Sequence, residues 1–186
     1  MTERAADPHR LDLRRFARDG ALLEGLWPQD RFTRLAASLM APLADLPAPP
    51  VQWSALGQQR PVPGGEPEIW LHIQGHTVAR LECQRCLQPL NEVLQVDRHL
   101  RFVTGEDEAA RLDEDSEDDV LALVARLDVF SLLEDEFILA LPLVPRHETC
   151  PRPLDAAAII ALPAVDEARP NPFAALAAWR AKPAAD

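Results

Sequence analysis

The sequence predicts an α+β fold: an antiparallel β-sheet of meander-like hairpins flanked by N-terminal helices, one central helix and a short C-terminal helix. Three observations predict it. Apolar and polar residues alternate through much of residues 51–104, the period of half-buried strands. Short connections rich in glycine and proline separate those runs, and such connections join only antiparallel neighbours. On either side, apolar residues recur at spacings of three and four, the period of an amphipathic helix.

Residues 11–40 read as helical, with Leu11, Leu22, Leu23 and Leu26 as apolar positions and Gly20 as an interruption. After Pro28 a second helix begins near Asp30, with Phe32, Leu35 and Leu39 at helical spacing. Pro47, Pro49 and Pro50 end this region. Val51, Trp53 and Ala55 then alternate as a strand, and residues 61–67 form a loop. Ile69, Leu71 and Ile73 alternate next. Gln74-Gly75-His76 reads as a hairpin turn in which glycine supplies a positive φ, returning the chain as a strand over 77–83. A turn over 83–89 leads into a long strand, 90–104, with Leu94, Val96, Leu100 and Phe102 on one face. After the acidic loop 105–119, the apolar run 120–124 fits one more strand. Asp128 is an N-cap for a helix carrying Phe130, Leu133, Phe137 and Leu141, stopped by Pro142 and Pro145. Asn171-Pro172 opens a last short helix. The expected organisation is one domain: an N-terminal helical segment, 1–48, packing on the core; the sheet and helix core, 49–150; and a Pro/Ala-rich tail, 151–186.

Composition narrows the function classes. The 186 residues include 18 prolines, 7 glycines, no tyrosine and three cysteines. No apolar run approaches the ~20 residues of a membrane-spanning helix, and the N-terminus lacks the apolar stretch of a signal peptide. An odd cysteine count argues against a disulfide framework, so a reducing, cytoplasmic setting is expected. Net charge is −11. Nine acids and one base between Glu106 and Asp119 supply −8 of it, leaving −3 for all other residues. This run reads as a solvated loop or as an acidic arm for a basic partner.

The main constellation is Cys83-x-x-Cys86 together with His147-x-x-Cys150. A Cys-x-x-Cys turn between strands directs both sulfurs to one side, and a tetrahedral Zn²⁺ takes four nitrogen or sulfur ligands. A structural zinc ion held by Cys83, Cys86, His147 and Cys150 would leave no open position for a substrate. Two other readings stay open: a reduced, partly buried cysteine pair near an unrelated third, and a redox-active pair. Thioredoxin-like activation places the motif at a helix N-terminus, whereas these flanks read as strands. No glycine accompanies the knuckle.

Other chemistry is sparse. The chain has no Gly-x-Ser-x-Gly, phosphate-binding glycine loop or dinucleotide fingerprint, so no enzyme and no small-molecule substrate are expected. His72, His76 and His99 read as surface or packing residues, and Glu134, Asp135 and Glu136 as a solvated helical turn. Arg14, Arg15 and Arg18, with Arg31 and Arg34 beyond, are candidate phosphate contacts, although Asp12 and Asp19 balance the trio. Trp53 and Trp70 read as packing residues that could alternatively stack bases.

Three blocks occur in the order of a known family. Leu81-Glu82-Cys83-Gln84-Arg85-Cys86-Leu87-Gln88-Pro89-Leu90 is followed by residues 133–145, LEDEFILALPLVP, with His147 and Cys150 after them, and then by Pro170-Asn171-Pro172-Phe173-Ala174-Ala175-Leu176. Together they resemble the YceD-like proteins. The resemblance implies a bacterial, non-catalytic factor in the synthesis, processing or stability of large-subunit ribosomal RNA. Its expected partner is that RNA, a pre-ribosomal particle or a ribosomal protein, with Arg14, Arg15, Arg18, Arg85, Phe173 and Leu176 as candidate contacts. The alternatives are a zinc-stabilised protein adaptor with an indirect effect on the RNA, and a thiol-disulfide protein.

Overall fold

The structure, a computed structural model, describes residues 6–41 and 47–151. The chain divides into two compact units, Met1–Cys150 and Pro151–Asp186. The expected C-terminal helix, with Phe173 and Leu176, lies outside the described residues.

The first unit is a five-stranded sheet in the order β1(Leu22–Trp27), β2(Val51–Arg60), β3(Glu68–Glu82), β4(Pro89–Val103), β5(Asp119–Ala122). The first three pairings are antiparallel and β4–β5 is parallel. Helices α1(Leu13–Arg18), α2(Thr33–Ala36), α3(Glu106–Asp113) and α4(Val129–Leu139) complete the α+β architecture. Among the described residues, no helix is long and apolar enough to cross a membrane.

The alternating apolar positions form one continuous inner face. Val51, Trp53 and Ala55 of β2, Leu71 and Ile73 of β3, and Leu94, Val96, Leu100 and Phe102 of β4 are all buried. They meet Phe16 of α1 and Val129, Leu133 and Phe137 of α4. Two glycines let the helices approach. A Cβ on Gly57 would lie 2.6 Å from Phe16 Cδ1 and 2.8 Å from the Ala17 nitrogen, and one on Gly75 would lie 2.6 Å from Phe137 Cζ. Asp128 caps α4 as expected, accepting from the backbone N–H groups of Phe130 (3.0 Å) and Ser131 (3.3 Å).

Three local readings change. First, Gly75 makes no turn. β3 runs unbroken from Glu68 to Glu82, pairing through His76 with β2 on one side and β4 on the other. The glycine is required by the closeness of α4, not by a positive φ. Second, residues 22–27 form strand β1. Gly20, at φ +58, ends the preceding helix, and Leu23 and Trp27 turn inward while Leu22 and Leu26 are exposed. Third, the acidic segment is not all loop. Its first half is α3, whose opening Glu106, Asp107 and Glu108 suit the positive end of the helix dipole, with Arg111 donating to Glu108.

Candidate metal centre

The centre lies where the β3–β4 connection meets the chain leaving α4. The connection folds back because the Cys83 N–H donates to the Gln88 carbonyl (3.0 Å) and the Leu87 N–H to the Cys83 carbonyl (2.9 Å). Leu87 takes φ +57, the left-handed conformation glycine usually supplies. The knuckle therefore forms without a glycine, at a steric cost of roughly 1–2 kcal/mol. Beyond α4, the Gln84 N–H donates to the Pro145 carbonyl at 2.9 Å and pins the second loop to the first.

Four side chains converge there: Cys83, Cys86, His147 and Cys150, with their ligand atoms all within 4.8 Å of one another. Cys83 Sγ is 3.9 Å from Cys150 Sγ, and Cys86 Sγ is 3.5 Å from His147 Nδ1. Ligands ~2.3 Å (sulfur) and ~2.0–2.1 Å (nitrogen) from one tetrahedral ion are about 3.8 Å apart for S–S and about 3.6 Å for S–N. The observed separations fit those edges, so the cluster could hold such an ion. His147 is also presented correctly. Its Nε2 lies 3.2 Å from the Pro89 carbonyl, to which it donates when protonated there, leaving the Nδ1 lone pair for the ion.

The sulfurs are shielded and electrostatically supported. The three cysteines are buried, with Cys83 at 0 % exposure, and none forms a disulfide. Burial pushes the Cys83 thiol up, but backbone N–H groups of His147, Arg85 and Cys86 outweigh it and bring the pKa down to about 5. Burial raises Cys86. Arg85 Nε donates to Cys150 Sγ at 3.0 Å, and its Nη2 donates to the carbonyls of His147 (2.7 Å) and Glu148 (3.2 Å). That guanidinium straps the two loops together and partly balances thiolate charge. No helix N-terminus activates these thiols, as the strand flanks imply; backbone donors from both loops lower the Cys83 pKa instead.

The other candidates are distributed differently. Arg14 donates to Thr104 (2.8 Å), while Arg15 and Arg18 both reach Asp19 (3.4 Å each). Arg14 and Arg18 border one recess with Arg101, and Arg15 borders another with Arg10 and Arg126. Arg85 faces the sulfur cluster. Arg31 lies over the Phe130 ring, 5.2 Å from its centroid, and Arg34 is bound to Glu134 and Asp135. Trp53 and Trp70 are buried, so neither is a free stacking platform; Trp53 instead stacks on Trp27 at 4.0 Å. Glu134 is not on a solvated face. It is 4 % exposed and accepts from the backbone N–H groups of Arg34 (2.8 Å) and Leu35 (3.3 Å), capping α2 through a side chain from α4.

Comparison with known proteins places this geometry in a context. Residues 71–179 match the family described as "Large ribosomal RNA subunit accumulation protein YceD". This segment includes all four residues of the cluster. A Haemophilus influenzae protein of that same name is 38% identical over 104 residues, which are 55% of this chain and 60% of the relative. The chain thus spans less than two thirds of that relative's length. No solved structure matches it.

Proposed function

The chain belongs to the YceD family, and we propose on that premise that it supports the accumulation of large-subunit ribosomal RNA as a non-catalytic assembly or stability factor. The observation that carries the proposal is the family match over 71–179, which contains the sulfur cluster and the helix that delivers half of it. Cys83, Cys86 and Cys150 as thiolates and His147 through Nδ1 would hold a structural Zn²⁺. The ion would staple the β3–β4 connection to the loop after α4. Four protein ligands close the coordination sphere, which supports a scaffold role over metal-assisted hydrolysis. Arg14, Arg15, Arg18 and Arg85, with Phe173 and Leu176 of the tail, are the proposed contacts to a large-subunit precursor in the cytoplasm.

A second reading, a protein partner with an indirect effect on the RNA, is favoured by the charge distribution. Acids concentrate between Glu106 and Asp119, and several exposed arginines are already engaged by Asp19, Glu134 or Asp135. A basic ribosomal protein suits such a surface.

The test is sedimentation of the tagged chain from gently lysed cells at low and moderate salt, with large-subunit ribosomal RNA quantified in cells lacking the protein. Co-migration with large-subunit precursors and an rRNA deficit restored by the wild-type chain are expected. Migration only at the top of the gradient at both salts overturns direct particle binding. Steep salt dependence of binding to isolated RNA favours the RNA over the protein partner.

A further inference from the structure

The sheet face opposite α1 and α4 carries a second cluster, unrelated to the sulfur centre. We propose that His72, His99 and Asp97 form a surface site for a borderline divalent transition-metal ion of the nickel, cobalt or zinc kind, with solvent completing the coordination. His72 and His99 are cross-strand partners in the β3–β4 register, and Asp97 precedes His99 by two residues, on the same face of β4. The imidazoles stack at 4.0 Å between centroids and 9° between planes. His72 Nε2 is 2.6 Å from Asp97 Oδ1. One ligand atom from each residue lies within 4.8 Å of the others. An ion about 2.0–2.2 Å from its nitrogen and oxygen donors joins atoms up to roughly 4.3 Å apart, so small side-chain rotations bring all three into reach.

Two features make this more than a chance meeting of surface residues. All three donors stand on the two longest strands, which form the most extensively paired ladder of the sheet, so their spacing is set by backbone register and not by a loop. Among the described residues, the neighbouring cations on this face are also engaged, Arg60 lying over the Trp70 ring at 3.6 Å from its centroid. Gln74 donates weakly to the second carboxylate oxygen (3.4 Å), and Arg101, the next cation along that face of β4, is paired with Glu68 at 2.8 Å. Two neutral imidazoles and one carboxylate arranged on one side of an ion suit nickel, cobalt, zinc or ferrous iron and leave positions for water.

The test is calorimetric titration of the full-length chain with Ni²⁺ or Co²⁺, after loading with one equivalent of zinc and with the cobalt and nickel arms repeated on zinc-free protein, alongside the His72→Gln, His99→Gln, Asp97→Asn and His76→Gln variants. Wild type should take up one equivalent of Ni²⁺ without thiolate charge-transfer absorption, with paramagnetic broadening of amide signals around residues 72–74 and 97–99. Each of the first three substitutions should weaken uptake by at least the roughly 10–100-fold that loss of an outer-shell partner costs. His76→Gln should not weaken it. Melting temperatures measured without metal check that each variant folds, and Ni²⁺ should raise that of wild type alone or with His76→Gln. Unchanged uptake in both His72→Gln and His99→Gln, broadening elsewhere, or no saturable uptake by wild type overturns the proposal. Absorption from nickel–thiolate bonds reports the sulfur centre separately, so failure at one site does not decide the other.

Discussion

Replacing Gly75 by alanine tests how the sheet positions the sulfur cluster. α4 lies directly on this glycine, and its C-terminal end leads into the loop that carries His147 and Cys150. An added Cβ would lie 2.6 Å from Phe137 Cζ, 3.0 Å from Leu133 Cδ2 and 3.1 Å from Phe137 Cε2. Both side chains are fully buried, so the helix must lift by several tenths of an ångström or the ring must leave its rotamer. Overpacking of this kind costs about 1–3 kcal/mol, offset by the ~0.5–1 kcal/mol gained when glycine leaves a strand interior. A net loss near 1–2 kcal/mol lowers the melting temperature by roughly 2–8 °C for a chain of this size. Zinc affinity should fall with it, because a displaced α4 carries His147 and Cys150 away from Cys83 and Cys86. Gly57→Ala is the control. Its Cβ would meet the backbone of α1 at 2.8 Å, which no rotamer change can clear, so the stability loss should be larger. α1 carries no ligand, so metal affinity measured below the transition should be retained. Scanning calorimetry and competition with a zinc chelator read the two quantities. A Gly75→Ala melting temperature at or above wild type refutes the packing argument. Equal loss of metal affinity in both variants refutes the coupling through α4.

Other expectations follow from the same contacts. Once zinc has been loaded into the sulfur cluster, chelating it should strip hydrogen-exchange protection from residues 83–87 and 145–150 while leaving β2 and the centre of β3 protected; uniform loss across the sheet would mean the metal holds the whole fold and not one corner. Leu87→Gly relieves a left-handed leucine that is 61% exposed, so stability should stay level or rise by up to about 1 kcal/mol in chemical denaturation; a clear loss would show that Leu87 packs on something. Glu134→Ala removes the acceptor for two backbone N–H groups of α2 and should lower the melting temperature far more than Asp135→Ala, whose side chain is 52% exposed; equal effects would deny Glu134 its capping role.

Much of this was legible in the sequence, for physical reasons that also explain the rest. β4 and the first half of β3 were readable because the face toward α4 is buried, which writes period two directly into Ile69, Leu71 and Ile73 and into Leu94, Val96, Leu100 and Phe102. β1 was not, because leucines at 22, 23 and 26 satisfy a helical spacing as well as a strand over six residues, and its exposed Leu22 and Leu26 break the expected burial rule. Gly75 was misread because a glycine demanded by a turn and one demanded by a neighbouring helix look alike in sequence. α3 carries too few apolar residues to show a period; Ala109 is its only buried position. At the centre, the four residues that converge were visible from residue type and spacing. Their support was not, since the Pro89 and Pro145 carbonyls and the N–H groups lowering the Cys83 pKa belong to the backbone. Arg85 looks in sequence like a contact residue, and only the fold turns it toward Cys150.

The low Cys83 pKa is the one feature that a thiol-disulfide protein and a metal site share, so reactivity and not ionisation separates them. The sign is fixed by the direction of the shift. A thiol held at about 5 in the folded chain, against 9.0 ordinarily, favours folding most above pH 9. That contribution shrinks as pH falls and is gone below about 5, so acid should weaken the metal-free protein across that window. Thiolate absorbance of metal-free protein should show one thiol ionised well below pH 7. A redox nucleophile must also be reached by an incoming disulfide, and Cys83 is fully buried beneath Arg85 and the 145–150 loop. Alkylation of metal-free protein at pH 7 should therefore be slower at Cys83 than at a free cysteine of the same pKa, and slower again with zinc bound. Mass spectrometry of the modified peptide reads that rate. Rapid modification at Cys83 and ready exchange with a small disulfide would revive the redox reading; a slow, zinc-protected thiolate leaves ligation as the use the protein makes of that charge.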